Sequence, residues 1–174
     1  SIIDISSNGN QPMVSQNENY ILVFNGEIYN FKSIRTELVK LGYSFRSKSD
    51  TEVVLACYEK YGADCLRKFQ GMFAFAIWDS KKNLLFVARD RMGQKPFYYY
   101  SDHECFVFAS EIKSILKLKW VPDEIDLIAL RQYFMLQYIL GPRTIFKSIY
   151  KLMPGQFMMI KQSSSGLRYD KQTY

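Results

Sequence analysis

The chain of 174 residues is 48% hydrophobic, with 13 Tyr and 13 Phe, which suits one domain with a continuous core and excludes a disordered polymer. Its formal charge of +6 comes from scattered residues, among them Arg46 and Lys48, Lys81 and Lys82, Lys113, Lys117 and Lys119. Most are interleaved with acidic residues and none forms the aromatic–basic pattern of a single-strand binder, so the surface reads as basic and solvated, with no nucleic-acid partner.

No apolar run is long enough to span a bilayer as a helix and no signal-peptide pattern is present, which predicts a soluble protein with no membrane partner, and the cytoplasm is the compartment expected. Cys57, Cys65 and Cys105 form no C-x-x-C pair and are odd in number. They argue against a zinc site and a disulfide framework, and for a reducing compartment. The opening Ser1-Ile2-Ile3 has no Met and reads as the middle of a strand, so a fragment is expected.

In chain order, "YILVF" (20–24) is a short apolar run, predicted as a buried strand that stops at the turn signal Asn25-Gly26. Phe31, Ile34, Leu38 and Leu41 recur at helical spacing, with Asn30 as N-cap and Gly42 as stop. Ser49-Asp50-Thr51-Glu52 has the capping-box form ahead of a helix ending near Gly62, and a shorter helix follows around Cys65 to Phe69. "MFAFAIWD" then alternates Phe73, Phe75 and Ile77 with Ala74, Ala76 and Trp78, a strand of period two whose hairpin partner is "LLFVARD". "PFYYY" and "CFVFAS" form a second hairpin around "SDHE". Ser110 is placed to cap a helix carrying Ile112, Ile115 and Leu116, and Asp126 to cap one through "LIALRQYFMLQY". After Pro154-Gly155 comes the strand "QFMMI", then the polar loop "QSSSG" and a polar tail that suits a linker. Helices followed by hairpins favour an antiparallel α+β layered fold over alternating βαβ units.

Several residues carry chemistry on paper. Asn-Gly is first a turn signal, but an Asn amide and the next backbone N–H can also stabilise an oxyanion. Asp50 in the first turn of a helix complements the macrodipole, and it is equally suited to an ammonium group. Arg89-Asp90 reads as an ion pair bracing a loop. His103 and Cys105 invite a Cys-His dyad, but His103 sits in a turn, where a solvated histidine is the simpler reading.

The stretches "SIIDISSNGNQPM", "VFNGEIYNF", "SKSDTEVVLACYEKYG", "FQGMFAFAIWD", "ARDRMGQKPFYY" and "FASEIKSIL" follow one another in this chain. Together they resemble the class II, N-terminal-nucleophile glutamine amidotransferase domain of glutamine-hydrolysing asparagine synthetases. "GPRTIFKSIYKLMPGQF" is similar to the segment that leaves that domain. The resemblance implies a four-layer αββα sandwich with two antiparallel sheets, here lacking its first elements. It implies glutamine as substrate, Asn25 and Gly26 as the oxyanion hole, and Glu27 and Asp50 at the glutamine amino group. Ser1, Ile2 and Ile3 would line the same pocket. Residues 1–160 would be the amidotransferase domain and 161–174 a tail leading toward a synthetase domain, the partner in the same polypeptide. A homodimer is compatible with this. No cofactor is implied for this domain, and ATP and magnesium belong to the synthetase domain. The nucleophilic cysteine and the arginine that grips the substrate carboxylate would precede Ser1, so the chain by itself is expected to be inactive. Two alternatives stay open: a non-catalytic relative used for binding or assembly, and an amidotransferase acting on another carboxylate or on a sugar.

Overall fold

Strand β3 (Gly71–Asp79) shows how the layers arise. Its period of two sends Phe73, Phe75 and Ile77 to one face and Ala74 and Ala76 to the other, and all five are buried. A strand buried on both faces must lie inside a sheet with a layer on each side. In this computed structural model, which describes residues 10–164 and 166–174, it does.

β3 pairs antiparallel with β2 (Tyr20–Ile28) on one side and with β4 (Leu84–Arg89) on the other. β1 (Met13–Val14) extends the sheet beyond β2, and β8 (Gln156–Ser163) and β9 (Gly166–Thr173) extend it beyond β4. A second antiparallel sheet has β5 (Tyr98–Ser101) between β6 (Phe106–Ala109) and β7 (Ile149–Lys151).

The phenylalanine face of β3 packs under α1 (Phe31–Lys40), α2 (Asp50–Tyr61) and a 3-10 segment (Gly62–Lys68), in a core holding Leu22, Leu38, Leu55, Phe69 and Phe86. The alanine face makes room for the second sheet, and Phe97, Tyr99, Leu152 and Met158 fill the space between. The outer face of the small sheet packs Tyr100 and Ile149 against Ile115 of α3 (Ile112–Ile115). The order is helix, sheet, sheet, helix, the αββα architecture that the resemblance implied. A further helix, α4 (Leu127–Leu136), starts at Asp126, whose carboxylate accepts from the N–H groups of Ile128 and Ala129.

Several local expectations change. Asn25-Gly26 is not a turn: β2 runs on through both residues to Ile28, in register with Ala74 and Phe73. Asn30 holds the N-cap position of α1, where its carbonyl accepts from the N–H groups of Ser33 and Ile34, but its side chain makes no capping bond. Its amide instead donates to the Lys68 carbonyl and accepts from Gln70 N–H, tying the helix start to the chain ahead of β3. At the other end, Gly42 at φ +92° lets Tyr43 N–H reach the Leu38 carbonyl, so the glycine stop holds. Ser49 caps α2 at Thr51 N–H, while Glu52 reaches back to the N–H groups of Arg46 and Ser47. The helix expected around Cys65 is 3-10, and α4 stops at Leu136, two residues earlier than expected. Arg89 and Asp90 brace the loop after β4 separately rather than as an ion pair. The guanidinium donates to the carbonyls of Gly93, Lys95 and Leu152, and the carboxylate accepts from the N–H groups of Met92, Gln94 and Lys95. The polar tail is not a linker. Position 160 falls inside β8, residues 166–173 form an edge strand, and Tyr174 OH donates to the Arg89 carbonyl. Strands β1 and β7 had no signal strong enough to be read.

Candidate functional site

The outer edge of β2 is the centre of the site. Across the ladder from Gly26, Phe73 uses its C=O for Asp90 N–H and its N–H for the Asp90 carboxylate, both on the β4 side. Gly26 and Phe73 are therefore a non-hydrogen-bonded pair, the type in which strands approach most closely. A Cβ on Gly26 would lie 2.1 Å from the Met72 carbonyl oxygen, and its φ of +149° is one that L side chains avoid. The Gly26 N–H consequently points away from β3, to the side where β1 has already ended.

The neighbouring N–H groups on that edge are taken by side chains. Phe24 N–H donates to Gln11 Oε1 at 2.6 Å and the Phe24 carbonyl accepts from Gln11 Nε2 at 2.8 Å, so the Gln11 amide stands in for one more residue of β1. Ile28 N–H donates to Asp50 Oδ2 at 3.0 Å. Asp50 is buried at the first position of α2, beside its capping Ser49, where the helix N-terminus favours a carboxylate. Between these two clamps, the Gly26 N–H has no partner among the described residues.

It borders a cleft of about 290 Å³ lined by Gln11, Phe24, Asn25, Gly26, Asp50, Thr51 and Ser110. Since a liquid water occupies about 30 Å³, there is room here for a small metabolite. An apolar slot of about 200 Å³ between the sheets, lined in part by Ala74, Ala76, Phe97 and Phe108, shares Gln11, Phe24, Asn25 and Ser110 with it. Asn25 Nδ2 donates to Ser110 Oγ at 3.1 Å. Two N–H donors, one from the side chain of Asn25 and one from the backbone of Gly26, thus border the same space, with a buried carboxylate on its rim. Such an arrangement can stabilise negative charge on a carbonyl oxygen while holding a cation nearby.

Of the residues read from sequence, Asn25, Gly26 and Asp50 come together. Glu27 is half-buried on β2 and does not line the cleft. Ser1, Ile2 and Ile3 lie outside the described residues. Sequence reading missed Gln11, and it assigned Ser110 to a cap that Glu111 occupies instead. The only signal for either residue was its place in a quoted motif.

The described thiols are not nucleophiles in waiting. Burial pushes Cys57 up to about 12 and Cys65 well above the ordinary thiol value. Burial and then a hydrogen bond to Asp102 push Cys105 up to about 11. A further cleft of about 250 Å³ beside Tyr43 and Glu59 contains none of the site residues, and its polar groups bond one another, Gln16 to Ser44 and Asn17 to Glu59.

Residues 1–173 match the glutamine amidotransferase domain family. The chain is 43% identical over 161 residues to asparagine synthetase [glutamine-hydrolyzing] 1 of Bacillus subtilis, covering 92% of this chain and 25% of that protein. It is 38% identical over 183 residues to putative asparagine synthetase [glutamine-hydrolyzing] 2 of Methanocaldococcus jannaschii, covering 96% and 35%. The chain therefore spans about a quarter to a third of the length of these curated relatives. In fold it is similar to glutamine phosphoribosylpyrophosphate amidotransferase from B. subtilis, with a TM-score of 0.63 at 21% identity over 95% of this chain and 32% of that one. The match over residues 1–173, nearly the whole length, places this chain in the glutamine amidotransferase domain family.

Proposed function

We propose that this chain is the glutamine-hydrolysing part of an asparagine synthetase and that the edge of β2 is its oxyanion site. The observation that carries this reading is the Gly26 N–H, left facing the cleft between two side-chain clamps and beside the Asn25 amide. Attack of a cysteine thiolate on the amide carbon of glutamine forms a C–S bond and places negative charge on the amide oxygen. The Asn25 amide and the Gly26 N–H receive that charge. Collapse of the intermediate expels ammonia, the α-amine of the cysteine passing its proton to the leaving nitrogen, and water then releases glutamate from the thioester. Asp50, on the rim of the cleft, holds the substrate ammonium group.

The thiolate would come from a part of the protein outside these 174 residues, as would the substrate-carboxylate arginine. The released ammonia would amidate aspartate in a synthetase region of the same polypeptide, where ATP and magnesium would be used. Two observations support a larger polypeptide: the relatives' length, and the apolar surface of α4, on which Phe134 and Met135 are 76% and 70% exposed.

The test is Asn25→Ala in the full-length protein. Loss of one such donor typically slows turnover about 10²–10³-fold. Glutamine hydrolysis should fall by that order while ammonia-dependent asparagine formation continues, because free ammonia bypasses this cleft. Unchanged hydrolysis would remove Asn25 from the site.

A further inference from the structure

We propose that Ser110 is a positioning residue for the Asn25 amide, a hydroxyl from the second sheet that aims a donor on the first. This inference rests on the reading of Asn25 as an oxyanion donor. An Asn side chain turns about a broad terminal torsion, and its two ends are opposite in character, two N–H donors against a carbonyl acceptor. Turned the wrong way, Asn25 would present oxygen to a developing oxyanion.

The backbone around Asn25 is already held. Gln11 takes both polar groups of Phe24, Asp50 takes Ile28 N–H, and the ladder sets Gly26 against Phe73. The freedom left to this donor pair is the Asn25 side-chain torsion. Ser110 Oγ, 3.1 Å from Nδ2 and 85 residues away in sequence, accepts one amide hydrogen and leaves the other in the amide plane.

The position of that hydroxyl is itself determined. Ser110 directly follows β6, whose Ala109 is in register with Tyr98, and Phe108 stacks on Phe97 with centroids 5.4 Å apart. Glu111 rather than Ser110 occupies the N-cap of α3, so the serine hydroxyl is not drawn into the helix start. It stands on the boundary between the cleft and the apolar slot. A donor oriented before the charge develops needs no reorganisation during reaction, which is where the rate advantage of such a site arises.

The experiment uses the full-length protein and follows glutamine hydrolysis and ammonia-dependent synthesis together. Ser110→Ala should lower the glutaminase kcat roughly three- to tenfold, the worth of one neutral hydrogen bond. KM should stay within about twofold and ammonia-dependent synthesis should be unchanged. Ser110→Thr, which keeps a hydroxyl at the same place, should recover most of the loss. The double variant Asn25→Ala/Ser110→Ala should be no slower than Asn25→Ala alone, because the serine acts only through the amide.

The inference is overturned if Ser110→Ala hydrolyses glutamine at the full rate while Asn25→Ala is crippled. It is also overturned if the serine loss is the same in both backgrounds, or if ammonia-dependent synthesis falls in parallel. A harmless Asn25→Ala would instead remove the oxyanion reading on which the inference stands, and the two failures are told apart by that single variant.

Discussion

Helices α2 and α4 form from similar local signals and meet opposite fates. Each has an N-cap side chain accepting backbone N–H bonds, Ser49 for α2 and Asp126 for α4. The sequence of α2, "DTEVVLACYEKY", carries four charged residues, yet it buries an unbroken run from Val53 to Tyr58. The sequence of α4, "LIALRQYFML", carries one, Arg131, yet among its residues only Ala129 is buried. Transfer energetics alone would bury the more apolar helix first. Local signals decide that a helix forms, and burial depends on what the remaining chain supplies to cover it. For α2 that is the phenylalanine face of the large sheet. For α4 these residues supply little.

The comparison breaks most readily at Phe75. Its ring is fully buried under the 3-10 segment, within 6.4 Å of the rings of Phe69, Phe73 and Phe86. Phe75→Ala should cost about 3–5 kcal/mol in denaturant unfolding. A cost near that of a surface substitution would mean that the layer under α2 is not the dominant core.

A middle-sized effect is expected at Asp126, because a helix with little packing depends on its ends. Asp126 caps α4 and its other carboxylate oxygen accepts from Arg143 Nη1 at 2.6 Å. Asp126→Ala should cost about 1–2 kcal/mol, seen in hydrogen exchange as opening of α4 ahead of the rest. Burial raises the Asp126 carboxyl, but Arg143 and the N–H groups of Ala129 and Ile128 outweigh it and hold the carboxyl below the ordinary range. A folded value below the unfolded one means that this stabilisation is present at neutral pH and fades as pH falls through the folded value. Uniform exchange across α2 and α4 after the substitution would contradict the contrast.

The smallest effect on stability sharpens the comparison furthest. Phe134→Ser on α4 should change unfolding free energy by no more than about 0.5 kcal/mol, against several for Phe75. The same change should reduce binding of a hydrophobic dye to this chain, because it removes apolar surface already open to water. A loss of stability comparable to that of Phe75→Ala would show α4 to be packed after all.

Much of the fold was legible because its determinants act over about ten residues. The alternation in β3, the β5–β6 hairpin, the Ser49 and Asp126 caps and the Gly42 stop are all local, and each appears where the spacing puts it. The errors occurred where a distant partner outbid a local one. Asn30 kept the N-cap position of α1 but gave its side chain to Lys68 and Gln70, and Asn25-Gly26 stayed extended because β3 pairs with it, against the turn its dipeptide suggests. The polar "RYDKQT" became an edge strand because β8 offered a free ladder.

The site divides in the same way. Resemblance to a family pointed to Asn25, Gly26 and Asp50, and their residue types alone are suited to an oxyanion and an ammonium group. By itself the sequence determined the strands and helices with strong local signals and which of their residues can do chemistry. Only the tertiary structure decided that positions 11, 25, 50 and 110 meet at one strand edge, that Glu27 stands apart from the cleft, and that Ser110 serves an amide instead of a helix. Side-chain periodicity is written along the chain. Which donor faces which acceptor depends on sheet register and on the stacking of two sheets, and these are settled between residues tens of positions apart.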